Sequence, residues 1–435
     1  MGARQTALNV LIACRKEGGW SNGVLKNYTA RDRLDRREAA LAARLCYGVL
    51  QNRLKLDFYL QQLLSGKTRD LHPVVRDILH LGLYQLKLMD KIPDAAAVNE
   101  SVALAKQYCP KVRSAPGLVN AVLRRATTEE LTEPRSYVEK YSHPQVLVDM
   151  LKSYVGKDRL EGMLKANNDI APMTIQVNTL RTSAEELRQI LEKEGITAVP
   201  HGWMENCLVL TGTGSLEHLQ SFREGLFYVQ DPAAKLSVLC AEVPENSRVL
   251  DCCAAPGGKS FAAYMAMNGT GTVTSCDIHE HKIPLIQKGA ERLGFPNITA
   301  RCQDGAAFEP AWECAFDAVI VDVPCSGYGI IRKKPDIRYK DPASMAELPA
   351  LQLQILRNQS RYVKPGGVLL YSTCTLVRAE NEGVVETFLA ENKEFTLETL
   401  PLPDIFPKNE TGMLALIPGE YDTDGFFMAR LRKKL

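Results

Sequence analysis

The chain has 435 residues, 45% hydrophobic and 24% charged, which excludes an intrinsically disordered protein and allows more than one folded core. The net charge of +2 is unevenly distributed, because residues 1–130 contain 21 Lys/Arg against 12 Asp/Glu. No apolar run reaches the ~20 residues of a transmembrane helix, and residues 1–10 lack the apolar centre of a signal peptide. We therefore expect a cytoplasmic protein with a polyanionic partner and no membrane.

Cysteine usage excludes the common zinc-binding classes. The 12 cysteines follow no zinc-finger spacing, and the seven histidines do not cluster with them as metal ligands would. Many unpaired cysteines are typical of a reducing compartment. We expect no bound metal. The sequence does not determine the oligomeric state, for which a monomer is the expectation.

Residues 1–130 are predicted to form an all-helical domain. Apolar residues recur every three or four positions, most clearly over Val74–Met89, and Gly and Pro separate the helices. Short connections of this kind indicate a compact bundle. Residues 131–165 continue as a helical connector with one helix over Val146–Leu164.

Residues 166–235 predict a small α+β module. Met173–Val177 and Cys207–Leu210 have the composition of strands, and Ala184–Glu194 has that of a helix. This module is expected to separate the helical domain from a larger C-terminal domain.

From residue 236 to 435, strands and helices alternate regularly. The predicted strands are Arg248–Asp251, Thr272–Asp277, Ile298–Gln303, Phe316–Asp322 and Val368–Ser372, with helices over Gly258–Met267 and Pro342–Val363. Such alternation predicts a parallel, doubly wound α/β sheet. Phe395–Leu400 and Phe426–Leu431 are expected to add a closing hairpin.

The first chemical motif is Asp251-Cys-Cys-Ala-Ala-Pro-Gly-Gly-Lys-Ser260, which follows a strand and opens a helix. Glycines there let a ligand approach the backbone, and a helix N-terminus favours negative charge. The spacing fits neither a Walker A loop nor a dinucleotide fingerprint. Asp277 and Asp304 are predicted at the ends of the next two strands, where ligands bind in open α/β sheets. They suit the ribose hydroxyls and the adenine amino group of a nucleoside.

Two cysteines are predicted on neighbouring strand ends. Asp322-Val-Pro-Cys-Ser-Gly327 presents Cys325, and Tyr371-Ser-Thr-Cys-Thr375 presents Cys374. A lone buried cysteine usually serves as a small apolar residue. Two that face one nucleoside pocket favour covalent catalysis, with Asp322 as a hydrogen-bonding partner for a base edge.

In this order, D-x-C-A-A-P-G-G-K-[ST], D-x-P-C-S-G with I-R-x-x-P-D, and Y-S-T-C-T resembles the signature of the Nop2/Sun RNA cytosine-5 methyltransferases. The motifs are specific in combination and cover residues 166–435. Cys252 and Tyr328 depart from the family's usual aliphatic residues, at positions that the chemistry does not require. A bacterial member carries a NusB-like helical domain before its catalytic region, and residues 1–130 resemble it in pattern.

The resemblance implies a Rossmann-like class I fold for the catalytic domain and S-adenosylmethionine as cofactor. It also implies Cys374 as the nucleophile and Cys325 as an aid to product release. The implied partner is 16S ribosomal RNA or a small-subunit precursor. The residues implied to bind the cofactor or line its pocket are Cys253, Ala254, Ala255, Pro256, Gly257, Gly258, Lys259, Asp277, Asp304 and Asp322. Gln230-Asp-Pro232 resembles the family's motif beside the cofactor.

Three basic clusters are candidates for contacts with RNA: Arg31–Arg37, Arg124-Arg125, and Arg332-Lys333-Lys334, the last expected to border the cleft. Three other functions remain open. One is a transfer RNA cytosine-5 methyltransferase, and another is a catalytically inactive RNA-binding or antitermination factor. The third is an amino-methyltransferase, although Cys325 replaces the aromatic residue that stacks on the target base in such enzymes.

Overall fold

A computed structural model describes residues 2–17 and 21–435, and these residues pack as two compact units. The helical unit comprises residues 1–169 and 331–340, and the α/β unit comprises residues 170–330 and 341–435. None of the helices in the described part of the chain is both long and apolar enough to cross a bilayer. The division into domains at 1–130, 131–165, 166–235 and 236–435 stays a prediction.

The helical unit consists of packed helices joined by short connections. They are α1 (Ala3–Glu17), α2 (Ser21–Arg31), α3 (Arg36–Leu63), α4 (Pro73–Leu88), α5 (Asp94–Tyr108), α6 (Ala115–Thr128), α7 (Tyr137–Lys140), α8 (Gln145–Val155) and α9 (Lys157–Ala166). Helix α3 begins where the Asp35 side chain accepts hydrogen bonds from two backbone N–H groups, and α4 begins at Pro73, which needs no N–H partner. Apolar faces of α1, α3 and α4 form one core, in which each buried Leu or Ile contributes ~1.5–3 kcal/mol.

The connector differs from its prediction as one helix over Val146–Leu164. Gly156, with a φ of 82°, ends α8 and precedes α9. A non-glycine residue rarely adopts this φ, so a break at this glycine is the physical reason for two helices instead of one.

Residues 331–340 lie in the helical unit although their sequence neighbours lie in the other. The Arg338 guanidinium is buried and donates from Nη1 to the carbonyl of Gln51 (2.9 Å) and to Oδ1 of Asn168 (2.8 Å). Its Nη2 donates to the carbonyl of Asn167 (3.2 Å). Burial lowers the pKa of Arg338 to about 10. These acceptors offset the cost of burying a cation.

In the α/β unit, a small antiparallel sheet comes first. Its strands are β1 (Met173–Val177), β2 (Thr197–Pro200), β3 (Cys207–Thr211) and β4 (Phe227–Val229), in the order β2-β3-β1-β4, with helices α10 (Ala184–Lys193) and α11 (Gln220–Arg223). Helix α10 begins with a capping box, because Ser183 and Glu186 each accept a hydrogen bond from the other's backbone N–H.

A larger mixed sheet follows. Its strands are β5 (Arg248–Asp251), β6 (Thr272–Asp277), β7 (Ile298–Cys302), β8 (Phe316–Asp322), β9 (Val363–Thr373), β10 (Phe395–Leu397), β11 (Met413–Leu416) and β12 (Phe426–Lys433). The helices of this region are α12 (Pro232–Leu239), α13 (Gly258–Ala266), α14 (Ile283–Leu293), α15 (Leu348–Ser360) and α16 (Glu382–Glu391). The strand order is β10-β12-β9-β8-β5-β6-β7, with β11 paired to β12.

The order of the strands determines where a ligand can bind. Strands β7, β6, β5, β8 and β9 are parallel, so their carboxyl ends share one edge of the sheet. The chain proceeds from β5 to β6 and β7 on one side, then returns to β8 and β9 on the other. The switch point therefore lies between β5 and β8, which is where open α/β sheets bind their ligands.

Two predicted boundaries in this unit were wrong. The helix predicted over Pro342–Val363 is a 3-10 turn at Pro342–Met345 followed by α15, and β9 begins at Val363 instead of Val368. Val363 pairs with Phe316 before a register shift, and this tertiary pairing extends the strand through Lys364-Pro-Gly-Gly367. The two strands predicted to close the sheet pair antiparallel as β10 and β12, but they do not form a hairpin, because β11 lies between them in sequence and also pairs with β12.

Candidate active site

The loop after β5 brings its backbone close to neighbouring elements. Gly257 has a φ of 113°, and a Cβ there would lie 2.5 Å from the Phe261 ring. The Ala254 N–H donates to the carbonyl of Cys276 (2.7 Å), which ties the loop to β6. Only glycine tolerates both the positive φ and the close approach of the Phe261 ring at position 257. The loop therefore turns tightly into α13, as the motif predicted.

A cavity of about 170 Å³ lies against this loop. A water molecule in liquid occupies ~30 Å³, so the cavity has room for an amino-acid-sized group. Its lining residues are Val229, Gln230, Ala234, Asp251, Cys253, Ala254, Ala255, Pro256, Gly258, Lys259 and Asp322. Most of the predicted cofactor-binding residues thus meet at one place. Gln230, from the Gln230-Asp-Pro232 motif, is among them, and a Cβ on Gly258 would lie 3.1 Å from its Nε2 atom.

Asp251 is the buried acid of this cavity. Its Oδ2 atom accepts a hydrogen bond from Ser260 Oγ (2.7 Å), whereas Oδ1 has no partner among the described residues. Burial raises the pKa of Asp251 to about 7. A buried oxygen without a donor is costly to leave unpaired. The residue therefore fits a bound ligand that supplies an N–H or O–H group, as the amino end of S-adenosylmethionine does.

Asp322, at the end of β8, connects the cavity to the neighbouring strand. Its Oδ2 atom lies 2.6 Å from Lys259 Nζ, and its Oδ1 accepts from Ser372 Oγ (2.8 Å). Burial alone would lower the pKa of Lys259, but the carboxylates of Asp322 and Asp251 outweigh it and the pKa is raised. Lys259 therefore stays an ammonium ion.

The two predicted cysteines are adjacent. Cys325 Sγ and Cys374 Sγ lie 3.2 Å apart, both half-buried, on the loops that follow β8 and β9. The hydrogen bond with Cys374, together with burial, raises the pKa of the Cys325 thiol. Cys325 therefore retains its proton and can donate it to the sulfur of Cys374.

Asp277 and Asp304 occupy a different part of the sheet edge. Asp277 accepts from the His279 N–H (3.0 Å) and pairs with Lys282 (3.4 Å). Asp304 is exposed, lies two residues beyond the end of β7, and accepts from the Ala306 N–H (2.9 Å). Neither is among the residues that line the cavity. Their roles toward a nucleoside stay predictions.

The sequence interpretation missed a buried polar cluster below the cysteines. Glu380 is 3% exposed and binds Ser326, the residue after Cys325. Its neighbour Asn381 binds the residues on both sides of Cys374. The available signal was three polar residues, Glu380-Asn-Glu382, which begin five residues after the cysteine motif Tyr371–Thr375 and lead into a helix.

The basic clusters lie within the helical unit. Arg31 pairs with Asp32 (2.8 Å) and Arg125 with Glu129 (2.6 Å), so these two guanidinium groups already have acidic partners. Arg332 is buried in this unit. The exposed arginines of the first cluster are Arg31, Arg33, Arg36 and Arg37. Contacts of all three clusters with RNA stay predictions.

Comparisons with known proteins cover the whole chain. A family model described as 16S rRNA methyltransferase RsmB/F matches residues 238–432, a NusB family model matches 1–128, and an RsmF/B-like ferredoxin-like domain matches 143–217. The probable ribosomal RNA small subunit methyltransferase B of Bacillus subtilis is 35% identical, covering 99% of this chain and 98% of that protein. The Vibrio cholerae ribosomal RNA small subunit methyltransferase B is 33% identical, covering 93% and 92%.

Solved structures agree on the fold. The crystal structure of PH0851 matches with a TM-score of 0.82 at 23% identity, covering 100% of this chain and 99% of that one. NSun6 from Pyrococcus horikoshii, solved with SFG, matches with a TM-score of 0.60 at 21% identity, covering 67% and 98%. The catalytic domain is therefore Rossmann-like, with a NusB-like domain and a ferredoxin-like module. The chain belongs to the ribosomal RNA small subunit methyltransferase B family and is an S-adenosylmethionine-dependent RNA methyltransferase.

Proposed function

We propose that this enzyme methylates C5 of a cytosine in small-subunit ribosomal RNA through a covalent bond between Cys374 and the base. The single observation that carries the proposal is the 3.2 Å separation of the Cys325 and Cys374 sulfurs, on strand ends that border the Lys259–Asp322 pair. The names of the relatives support ribosomal RNA as the substrate.

S-adenosylmethionine, when bound, supplies an electrophilic methyl group. We assign its amino-acid end to the cavity formed by the loop Cys253–Gly258, with Asp251 Oδ1 accepting from its amino group. Asp277 and Asp304 are proposed to hold the ribose and the adenine, because acids at the carboxyl ends of parallel strands suit those groups. The base is proposed to lie on the side of the cavity that Lys259 and Asp322 line.

C5 of cytosine is a weak nucleophile, and we propose that Cys374 increases its nucleophilicity. Its thiolate forms a bond to C6, and the C5–C6 electron pair moves to C5, which becomes nucleophilic. The Lys259 ammonium ion stabilises the thiolate, because opposite charges attract strongly in a partly buried site. The electrostatic interaction with Cys374 is one of the smaller causes of the raised pKa of Lys259.

Asp322 is proposed to act on N3 of the base. A carboxylate donates no hydrogen bond, so the proton that Asp322 shares with N3 is proposed to come from water, while Lys259, 2.6 Å away, keeps its own proton. A proton at N3 withdraws electrons from C6 and favours attack by sulfur. Ser372 fixes the orientation of the carboxylate through its 2.8 Å hydrogen bond.

Cys325 is proposed to assist the release of the product. When the C5 proton leaves, its electron pair restores the C5–C6 double bond and the C6–S bond breaks. Cys374 then leaves as a thiolate, which a proton from Cys325 stabilises through the existing sulfur–sulfur contact. The identity of the group that first takes the C5 proton is not assigned.

The proposal is tested with purified protein, labelled S-adenosylmethionine, and either naked small-subunit ribosomal RNA or transfer RNA. Nucleoside mass spectrometry separates 5-methylcytidine from N4-methylcytidine, and bisulfite sequencing locates the site. We expect 5-methylcytidine in ribosomal RNA only. Methylation of transfer RNA alone, a methyl group on N4, or binding of RNA without any transfer would contradict the proposal.

A further inference from the structure

Glu380 is a buried acid whose hydrogen bonds hold the loop that carries Cys325. Its Oε1 atom accepts from Ser326 Oγ (2.5 Å), and its Oε2 accepts from the Ser326 backbone N–H (2.9 Å). Oε2 also accepts from Gln352 Nε2 (2.9 Å), whose second bond goes to the carbonyl of Pro324 (2.9 Å). Glu380 thus holds the residue after Cys325, and Gln352 holds the residue before it.

Asn381 holds the loop that carries Cys374, also through hydrogen bonds. Its Oδ1 accepts from Thr373 Oγ1 (2.6 Å), and its Nδ2 donates to the carbonyl of Thr375 (3.0 Å). These two residues flank Cys374. The amide of Asn381 uses both its acceptor and its donor, a combination that neither Asp nor Leu of similar size can supply.

The hydrogen bonds around Glu380 and those around Asn381 form one network. Ser326 Oγ and Thr375 Oγ1 lie 2.7 Å apart, so the residues that follow the two cysteines are in direct contact. Glu380 and Asn381 are adjacent in sequence and precede α16. One short segment therefore binds the residue after Cys325 and the residues on both sides of Cys374, while Gln352 on α15 binds the residue before Cys325.

We propose that Glu380 and Asn381 are positioning residues that keep the sulfurs of Cys325 and Cys374 within proton-transfer distance. The reason for a carboxyl group at position 380 is that three donors converge on its two oxygens, whereas an amide offers only one oxygen as an acceptor. The inference rests on the proposed function for the roles of the two sulfurs, but the distance it explains does not depend on RNA.

The test compares Glu380→Gln with Glu386→Gln, a matched control on α16 whose exposed carboxylate pairs with exposed Arg378. We expect Glu380→Gln to lower kcat about 100-fold, the cost of a displacement near 1 Å at a reacting atom. The KM for RNA and the Kd for S-adenosylmethionine should stay within about twofold, because Glu380 is buried and is not among the residues that line the cavity. Glu386→Gln should match wild type throughout.

A second readout measures the sulfur separation without RNA. A mild diazene oxidant takes two hydrogen atoms from neighbouring thiols and leaves a disulfide, whose formation between Cys325 and Cys374 is followed by peptide mass spectrometry. We expect it to slow at least about tenfold in Glu380→Gln, since disulfide formation requires close and correctly oriented sulfurs. This readout still decides the inference if wild type proves not to methylate ribosomal RNA.

Ser326→Ala is the alternative variant if Glu380→Gln does not fold. It removes the hydroxyl that binds both Glu380 and Thr375 and leaves the Glu380 carboxylate in place. We expect the same two effects, each smaller. Wild-type kcat and wild-type disulfide formation in a folded variant would overturn the inference. So would a fall in kcat that is matched by an equal loss of cofactor binding, because that indicates general destabilisation.

Discussion

Two regions of the same sheet edge differ in how their functional residues are held. At the ends of β5, β8 and β9, residues far apart in sequence bind one another, as in Lys259–Asp322 and Cys325–Cys374. At the ends of β6 and β7, Asp277 and Asp304 bind groups only two to five residues away. Both regions looked equally functional in the sequence.

The difference shows which contacts indicate chemistry. An aspartate that accepts from the N–H two residues on is an ordinary loop arrangement and needs no ligand to explain it. A lysine at the start of α13 and an aspartate at the end of β8 that bind each other, beside two sulfurs in contact, are not explained by loop geometry. We therefore expect substitutions near β5, β8 and β9 to affect catalysis, and those near β6 and β7 to affect only cofactor binding.

The largest effect is expected from Lys259→Met. It leaves the partly buried Asp322 carboxylate without its cation and Cys374 without a stabilising charge, so kcat should fall about 100- to 1,000-fold. The matched control is Lys282→Met, which breaks the 3.4 Å pair with Asp277 at β6. Steady-state kinetics measure both. Equal losses of kcat in the two variants would erase the distinction between the regions.

A stability effect is expected at Asp251. Burial raises its pKa from 3.8 to about 7, so its contribution to stability is fully present below about pH 4 and is lost as the pH rises through 7. In ligand-free protein, Asp251→Asn should flatten the dependence of Tm on pH in this window by several degrees. Asp304→Asn, at an exposed acid, is the control and should leave the profile unchanged. A wild-type Tm that rises from pH 4 to 7 with no change in Asp251→Asn would contradict this account.

A moderate effect is expected from Asp277→Asn. If the carboxylate holds the ribose, its loss should raise the Kd for S-adenosylmethionine about tenfold, equivalent to ~1.4 kcal/mol. Isothermal titration calorimetry measures the Kd, and kcat at saturating cofactor should change less than about threefold. A tenfold loss of kcat at saturation would assign Asp277 to the reaction itself.

The smallest effect is expected from Asp304→Ala. The side chain is exposed, and a hydrogen bond to adenine from an exposed carboxylate contributes little binding free energy because water competes for it. We expect the Kd for S-adenosylmethionine to rise no more than about threefold in the same titration. An effect larger than that of Asp277→Asn would reverse the order of the two acids.

Most of the catalytic fold could be predicted, because its signals are local. The strand ending at Asp251 and the loop through Lys259 follow from an apolar run, glycines and a helix start that lie side by side in sequence. The start of β9 could not be predicted, since its pairing with Phe316 overrides the Lys364-Pro-Gly-Gly367 break. Neither could the place of Arg338, whose acceptors Gln51 and Asn168 lie up to 287 residues away in sequence.

The candidate site divides in the same way. Cys325 and Cys374 were predicted because each ends an apolar strand, and parallel strands place such ends on one edge. Glu380 and Asn381 were missed because a surface loop of Glu and Asn has the same local pattern. Only their hydrogen-bond partners, Ser326 and the residues beside Cys374, distinguish this buried polar cluster from a solvated turn.

The most direct measurement of the central claim, that Cys374 attacks the base while Cys325 assists release, uses ribosomal RNA with 5-fluorocytosine at the methylated position. Fluorine at C5 blocks the final proton removal and traps the covalent adduct, which mass spectrometry locates on a peptide. We expect the wild-type adduct on Cys374, none in Cys374→Ala, and accumulation on unmodified RNA in Cys325→Ala. An adduct on Cys325, or one that persists in Cys374→Ala, would contradict the account.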